Sequence, residues 1–264
     1  MAATMKGAVS FGLLHVPVSL HTATQDNDIR FNQLCREDGS RVKYKKVCAG
    51  CGREVENKDI VKGFEIEPGR YITMTDDDFE KAKIQKDKTL EVLHFTSLDD
   101  IRPIFFDKTY HLVPEAGGDK AYELLRRCML ELKVVGIAKG VIGQSEHLIA
   151  LIPTDEGILA ETLFFNDEVK SMPKTPAKPD MTEKELEMGK AVISGQIRPF
   201  TPEQYHDEYR QRLWQIIMAK AENREVVAAP SDQPASVINM MDALEQMLGS
   251  TKPPAKKPRG KKGA

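Results

Sequence analysis

Apolar and polar positions alternate through much of the first 22 residues. GAVSFGLLHVPVSLHT, residues 7–22, has the two-residue period of strands with one buried face, and Pro17 predicts an edge or a bend within it. Similar β-rich runs recur at residues 42–47, 71–74, 89–95, 104–112, 134–142, 147–152 and 158–165. The last three are separated by Gly143-Gln144-Ser145 and by residues 154–157, as in an antiparallel meander. So many short strands at this spacing predict a barrel or a sandwich.

Helical periods interrupt the strands. Thr75 ahead of Asp76, Asp77 and Asp78 reads as an N-cap with acids in the first turn, where the helix dipole favours them. A helix from Asp119 gathers Tyr122, Leu125, Met129 and Leu132 on one face, sets Arg126 and Arg127 to its side and carries Cys128 as a small core residue. Thr182 with Glu185 forms a capping box for a helix to about residue 195. Thr201-Pro202-Glu203-Gln204 reads as a second box, opening a helix to about residue 223 with Tyr205, Tyr209, Leu213, Trp214, Ile216 and Ile217 as its apolar stripe. Residues 237–248 are amphipathic, with Val237, Met241, Leu244 and Leu248 on one side. From Thr251 onward too few apolar residues remain to fold, which predicts a disordered basic tail.

Charge adds what periodicity does not. The 264-residue chain has a formal net charge of −2, so no global attraction to nucleic acid is evident. Yet three stretches concentrate cations without acids. The first carries Arg41, Lys43, Lys45 and Lys46; the second, rich in proline, carries Lys170, Lys174 and Lys178. The third, the tail, carries Lys252, Lys256, Lys257, Arg259, Lys261 and Lys262. If Val42 and Tyr44 face a core, alternation puts Arg41, Lys43 and Lys45 on one face, about 7 Å apart, a spacing that can follow phosphates.

The cysteines add a candidate metal site. Cys48 and Cys51 have the two-residue spacing that points two thiolates at one zinc ion, and Cys35 supplies a third sulfur. Asp38, a partner thiolate or a water could complete such a structural site; a plain glycine turn with free thiols is the other reading. Four cysteines and no secretory pattern point to a reducing cytoplasm, and no apolar run is long enough to span a membrane. The sequence contains no G-x-x-x-x-G-K-[ST], H-E-x-x-H, G-x-S-x-G or G-x-G-x-x-G, and its six histidines are scattered, so binding rather than catalysis is expected.

At this point four ordered motifs resemble the bacterial Ku proteins. They are KGAVSFGLLHVPVSLHTAT at 6–24, VKYKKVCAGCGREVENKDIVKGFE at 42–65, KAYELLRRCM with VVGIAKGVI at 120–142, and PFTPEQYHDEY at 199–209. The resemblance implies an α+β, mainly β fold. Its β-barrel core with an extended bridge would occupy residues 1–195, followed by C-terminal helices at 196–249 and the basic tail at 250–264. It implies a homodimeric ring around double-stranded DNA ends, acting in non-homologous end joining without catalysis of its own and recruiting an ATP-dependent ligase of the ligase D type. Such a protein would be cytoplasmic and nucleoid-associated. The cations named above would then grip phosphates, and the segment of Met240, Met241, Leu244 and Leu248 would either dock back on the core or offer a partner surface. A zinc-dependent nucleic-acid regulator or enzyme indifferent to DNA ends is the competing expectation.

Overall fold

The structure is a computed structural model that describes residues 3–82, 88–174 and 179–222. Its contacts divide the chain into two compact units, Met1–Ser171 and Met172–Ala264.

In the first unit the alternating runs become β1 (Met5–Phe11), β2 (Leu14–Thr22), β3 (Lys62–Glu67), β4 (Arg70–Met74) and β5 (Thr89–Thr96), then β6 (Phe106–Pro114), β7 (Val135–Ile142), β8 (Ser145–Pro153) and β9 (Ile158–Leu163). Seven of them close a barrel in the order β1-β2-β6-β9-β8-β7-β5, one of the two architectures, barrel or sandwich, that the strand spacing predicts. Every pairing in it is antiparallel except the closing one, where β1 runs parallel to β5 with Ala8 opposite Thr89. Inward positions alternate as the pleat requires: Val16, Val18 and Leu20 from β2 meet Leu90, Leu112, Ile149, Leu151 and Ile158 in one buried core.

Pro17 does not mark an edge. It lies in β2 opposite Ala8, with strands on both sides. Its carbonyl accepts the Glu115 N–H at 2.9 Å, so its missing N–H falls on that same side, where the β2–β6 ladder has just ended at Pro114.

Helix α1 (Asp76–Ala82) begins as predicted, with Asp78 Oδ2 accepting from both the N–H and the hydroxyl of Thr75 at 2.9 and 2.7 Å. Helix α2 (Asp119–Leu132) buries Tyr122 and Met129 against the barrel, but its other expected members differ. Leu132 is 72% exposed, and Cys128 is exposed rather than a core residue, because the barrel covers only the strip through Tyr122, Leu125 and Met129. Arg126, expected at the side, is instead largely covered and donates to the Thr154 carbonyl at 2.7 Å and to Glu123.

The clearest departure is at residues 42–47, which form no strand. Only two isolated bridges flank them, Leu34 with Arg41 and Val47 with Glu54. The supposed inward side chains, Val42 and Tyr44, meet no core and are 47% and 81% exposed. Strand β3, which the sequence pattern did not single out, pairs with β4 in a two-stranded sheet whose β3 residues are all exposed.

The second unit holds α3 (Glu183–Ser194) and α4 (Glu208–Ala221), neither with a buried residue. The Thr182–Glu185 capping box is present, the Glu185 carboxylate taking the Thr182 N–H at 2.8 Å. The Thr201 box is not: Pro202–Gln204 is a single 3-10 turn, Thr201 makes no capping bond, and α4 starts later, where Asp207 accepts the Arg210 N–H at 2.9 Å. The amphipathic residues 237–248 lie outside the described residues.

Candidate nucleic-acid interface

Residues 24–67, which leave the barrel after β2, contain no buried side chain. Two short turns give this arm its shape. In each, the N–H of a glycine at positive φ returns to a cysteine carbonyl: Gly39 (φ 70°) to Cys35 at 2.9 Å, and Gly52 (φ 69°) to Cys48 at 2.8 Å. Glycine is needed at both because other side chains meet a steric penalty there.

The first basic cluster sits between and within these turns. Arg41 flanks the first turn, Lys43 and Lys45 lie in the connector, and Lys46 opens the second; all four are exposed. They do not form the straight row that a strand would give. Lys45 is paired with Glu54 at 2.9 Å and Lys46 donates to Asn57 at 2.6 Å, whereas Arg41 and Lys43 make no side-chain bond among the described residues. Arg36, Arg53 and Lys62 extend the cluster, and residues 36–62 carry a net +3. Arg53 lay inside the basic stretch visible in sequence; Arg36 was hidden by its acidic neighbours Glu37 and Asp38.

Exposed aromatic rings interleave with these cations: Phe31, Tyr44, Phe64 and Tyr71 are each at least 61% exposed. Tyr44 donates to the Gln33 amide, which braces the connector, and the Lys62 ammonium lies 4.5 Å over the Phe79 ring. Of the second cluster, Lys170 and Lys174 are exposed, in the first and second unit respectively, and Lys178 lies outside the described residues. So do Lys252, Lys256, Lys257, Arg259, Lys261 and Lys262, and the partner surface of Met240, Met241, Leu244 and Leu248.

The candidate metal ligands stand as two pairs. Among the described residues no three of the chain's His, Cys, Asp or Glu side chains are gathered at metal-holding distance. Asp38 accepts from the Ser40 N–H at 3.0 Å and from its hydroxyl at 2.8 Å, which together with Cys35 hold its carboxyl below the usual range. Arg53, through side chain and backbone, and then Cys48 hold the Cys51 thiol low in the same way.

Other parts of the first unit suit different contacts. A cavity of about 830 Å³ beside α2 is walled by Asp119, Glu123, Asp155 and Glu156, a carboxylate-rich lining that repels phosphate. Ser19 and His21 lie 3.1 Å apart on β2, but the nearby carboxylate, Glu115, is held by Lys6 at 3.1 Å and not by the imidazole. That is the wrong order for a nucleophilic relay, in which the carboxylate must orient the imidazole.

The comparisons with known proteins agree with this architecture. A Ku family model, described as the Ku70/Ku80 beta-barrel domain, matches residues 10–188. Three relatives share the name "Non-homologous end joining protein Ku". One from Lachnoclostridium phytofermentans is 44% identical over 91% of this chain and 93% of its own. Another from Archaeoglobus fulgidus is 39% identical over 96% and 100%. A third from Bacillus subtilis is 36% identical over 94% and 82%.

Proposed function

The chain belongs to the Ku family, and on that premise we propose that two copies of it form a ring that threads onto broken ends of double-stranded DNA during non-homologous end joining. The match to the barrel domain, together with relatives of that name aligned over nearly the whole chain, is the observation that carries this reading. The ring would grip the sugar-phosphate backbone through Arg41, Lys43, Lys45 and Lys46 on the arm and through Lys170, Lys174 and Lys178, with the tail cations as a tether.

The physical features support it. A factor that accepts any broken end should read charge and helical shape rather than base edges, and an exposed arm of cations and aromatic rings offers that kind of contact. A two-stranded sheet is marginal by itself, and β3–β4 exposes Phe64, Ile66, Tyr71 and Ile72 to solvent. Helices α3 and α4 likewise expose Ile193, Tyr209 and Trp214. Uncovered apolar side chains of this kind call for a partner, and a second copy of the chain supplies one.

The same reading has the ring act without catalysis and recruit an ATP-dependent ligase of the ligase D type through residues after Pro230. It places the protein with the nucleoid; none of the described helices is long and apolar enough to cross a membrane.

Gel-shift competition between linear and closed circular DNA of one sequence tests the threading. Linear DNA should compete and circles should not; equal competition would sink the ring and favour an end-indifferent nucleic-acid regulator. For the ligase, deleting residues 231–264 should abolish ligase stimulation while DNA binding persists. Stimulation retained by the truncated protein would remove that segment from the docking site.

A further inference from the structure

Helix α2 carries two apolar strips side by side, and the barrel covers one of them. Tyr122, Leu125 and Met129 pack against the core. The neighbouring strip, Ala121, Leu124, Cys128 and Leu132, has steps of three, four and four residues and so shares one face of the helix. On it Leu124 is 56% exposed, and Cys128 and Leu132 are exposed as well.

Across from this strip stands the β1–β2 hairpin, which turns at Gly12 and Leu13 and leaves Phe11, Leu13 and Leu14 exposed. Phe11 meets the Phe95 ring edge-on at 5.1 Å, which fixes that wall. Between helix and hairpin runs a groove of about 440 Å³ lined by apolar side chains and the Cys128 thiol, with no charged group among them. Open apolar surface of this kind marks an interaction site, and a groove beside a helix suits the apolar face of a second, amphipathic helix.

The chain carries a segment that fits. Beyond Glu222 it continues for 42 residues, and among these only 237–248 repeat large apolar residues at a helical period. Val237, Met241, Leu244 and Leu248 have steps of four, three and four residues, so this strip and the open strip of α2 both run about 16 Å along a helix. Ser236 before the segment and Gly249 after it are the residue types that start and stop helices, and its methionines adapt to an uneven wall. The charges agree. The segment holds Asp242 and Glu245 and no cation, while Lys120 and Arg127 flank Leu124 on α2, with Glu131 one turn further on.

Reach is sufficient too. The fourteen residues 223–236 span about 20 Å on average as a flexible linker and about 50 Å at full extension. A tether of that length holds the segment at a local concentration on the order of millimolar, so even a weak contact is occupied.

We propose that residues 237–248 seat as an amphipathic helix in the groove between α2 and the β1–β2 hairpin of the same chain, covering Leu124, Cys128 and Leu132. The contact needs neither DNA nor a ring. Under the reading that gives residues after Pro230 to the ligase, a docking ligase must first lift them from this groove.

The test uses the full chain, reduced and without DNA or ligase, so its outcome is separate from the fate of that reading. Cys128 is the native reporter, and Cys35, Cys48 and Cys51 are internal controls. Maleimide labelling, resolved thiol by thiol by peptide mass spectrometry, should be at least about 10-fold faster at Cys128 in Met241→Asp/Leu244→Asp than in the wild type, because burying one such side chain is worth that factor or more. The control thiols should not change. Leu132→Glu, at a side chain the barrel leaves exposed, should speed hydrogen exchange within 237–248 by a similar factor. In Met241→Cys a short bismaleimide should join the new thiol to Cys128 within a single chain. Equal labelling of Cys128 in wild type and double variant, unchanged exchange in Leu132→Glu, or a cross-link joining two chains would each overturn the assignment.

Discussion

The hydroxyl of Tyr122 accepts the Ile158 N–H at 2.7 Å while donating to the Leu112 carbonyl at the same distance. A single side chain from α2 thus fastens the ends of two adjacent barrel strands, β6 and β9. Burial also pushes its phenol up from the ordinary value. Tyr122→Phe should leave a buried N–H without its acceptor and cost about 1–3 kcal/mol in a denaturant melt. A loss within error of zero would show that water replaces the hydroxyl.

Glu123 lies one residue along α2 and bonds to Arg126 and Arg127 at 2.8 and 2.6 Å, which hold its carboxyl down to about 2. A folded-state value below the unfolded one stabilises the fold above pH 4.5, and that contribution is lost as pH falls towards 2. Thermal melts across this window should therefore show a shallower pH dependence in Glu123→Gln than in the wild type. Parallel profiles would mean that the pair contributes nothing to acid stability.

The barrel closes where β1 and β5 lie side by side, and Gly7 makes that approach possible. A Cβ there would stand 1.8 Å from the Lys88 carbonyl oxygen, so Gly7→Ala should cost at least about 2 kcal/mol, towards the upper part of the range for overpacking. Gly189, inside α3, has open space for 4 Å around the point where a Cβ would stand, and Gly189→Ala should add about 0.5–1 kcal/mol of helix stability, read by circular dichroism. Equal effects at the two sites would contradict the packing described.

On the arm, the cations differ in what they already bind. Replacing Arg41, Lys43 and Lys46 together by glutamine should lower the slope of log affinity against log salt by roughly 3. Lys45→Gln, whose ammonium is shared with Glu54, should change it by less than a single unpaired cation does. An unchanged slope in the triple variant would remove these residues from the contact surface.

The barrel was legible in the sequence because its strands carry their own signal. Val16, Val18 and Leu20 alternate with Pro17, Ser19 and His21, and only one face can be buried. The N-cap at Thr75 and the capping box at Thr182 were legible for a similar reason, since both partners lie within four residues. The arm was not. Val42 and Tyr44 alternate as they would in a strand, but pairing depends on a neighbouring strand that the local pattern cannot supply. Thr201 failed as a cap for the opposite cause: Asp207, a few residues later, takes that role. The candidate metal ligands were half visible. Cys48 and Cys51 announce themselves by their spacing, whereas the placing of Cys35 and Cys48 on two separate turns depends on backbone hydrogen bonds and not on residue type.

The parallel pairing of β1 with β5 also governs the order in which the molecule can be made. The hairpin of β1 and β2 leaves the ribosome before its outer neighbours, which, with Thr89 facing Ala8 and Tyr110 facing Thr22, arrive only after the whole arm has been synthesised. Contacts this distant in the chain make folding slow, because the intervening loop must be closed before they form. Until then the nascent hairpin presents two open edges, the kind of surface on which chaperones act and aggregation begins.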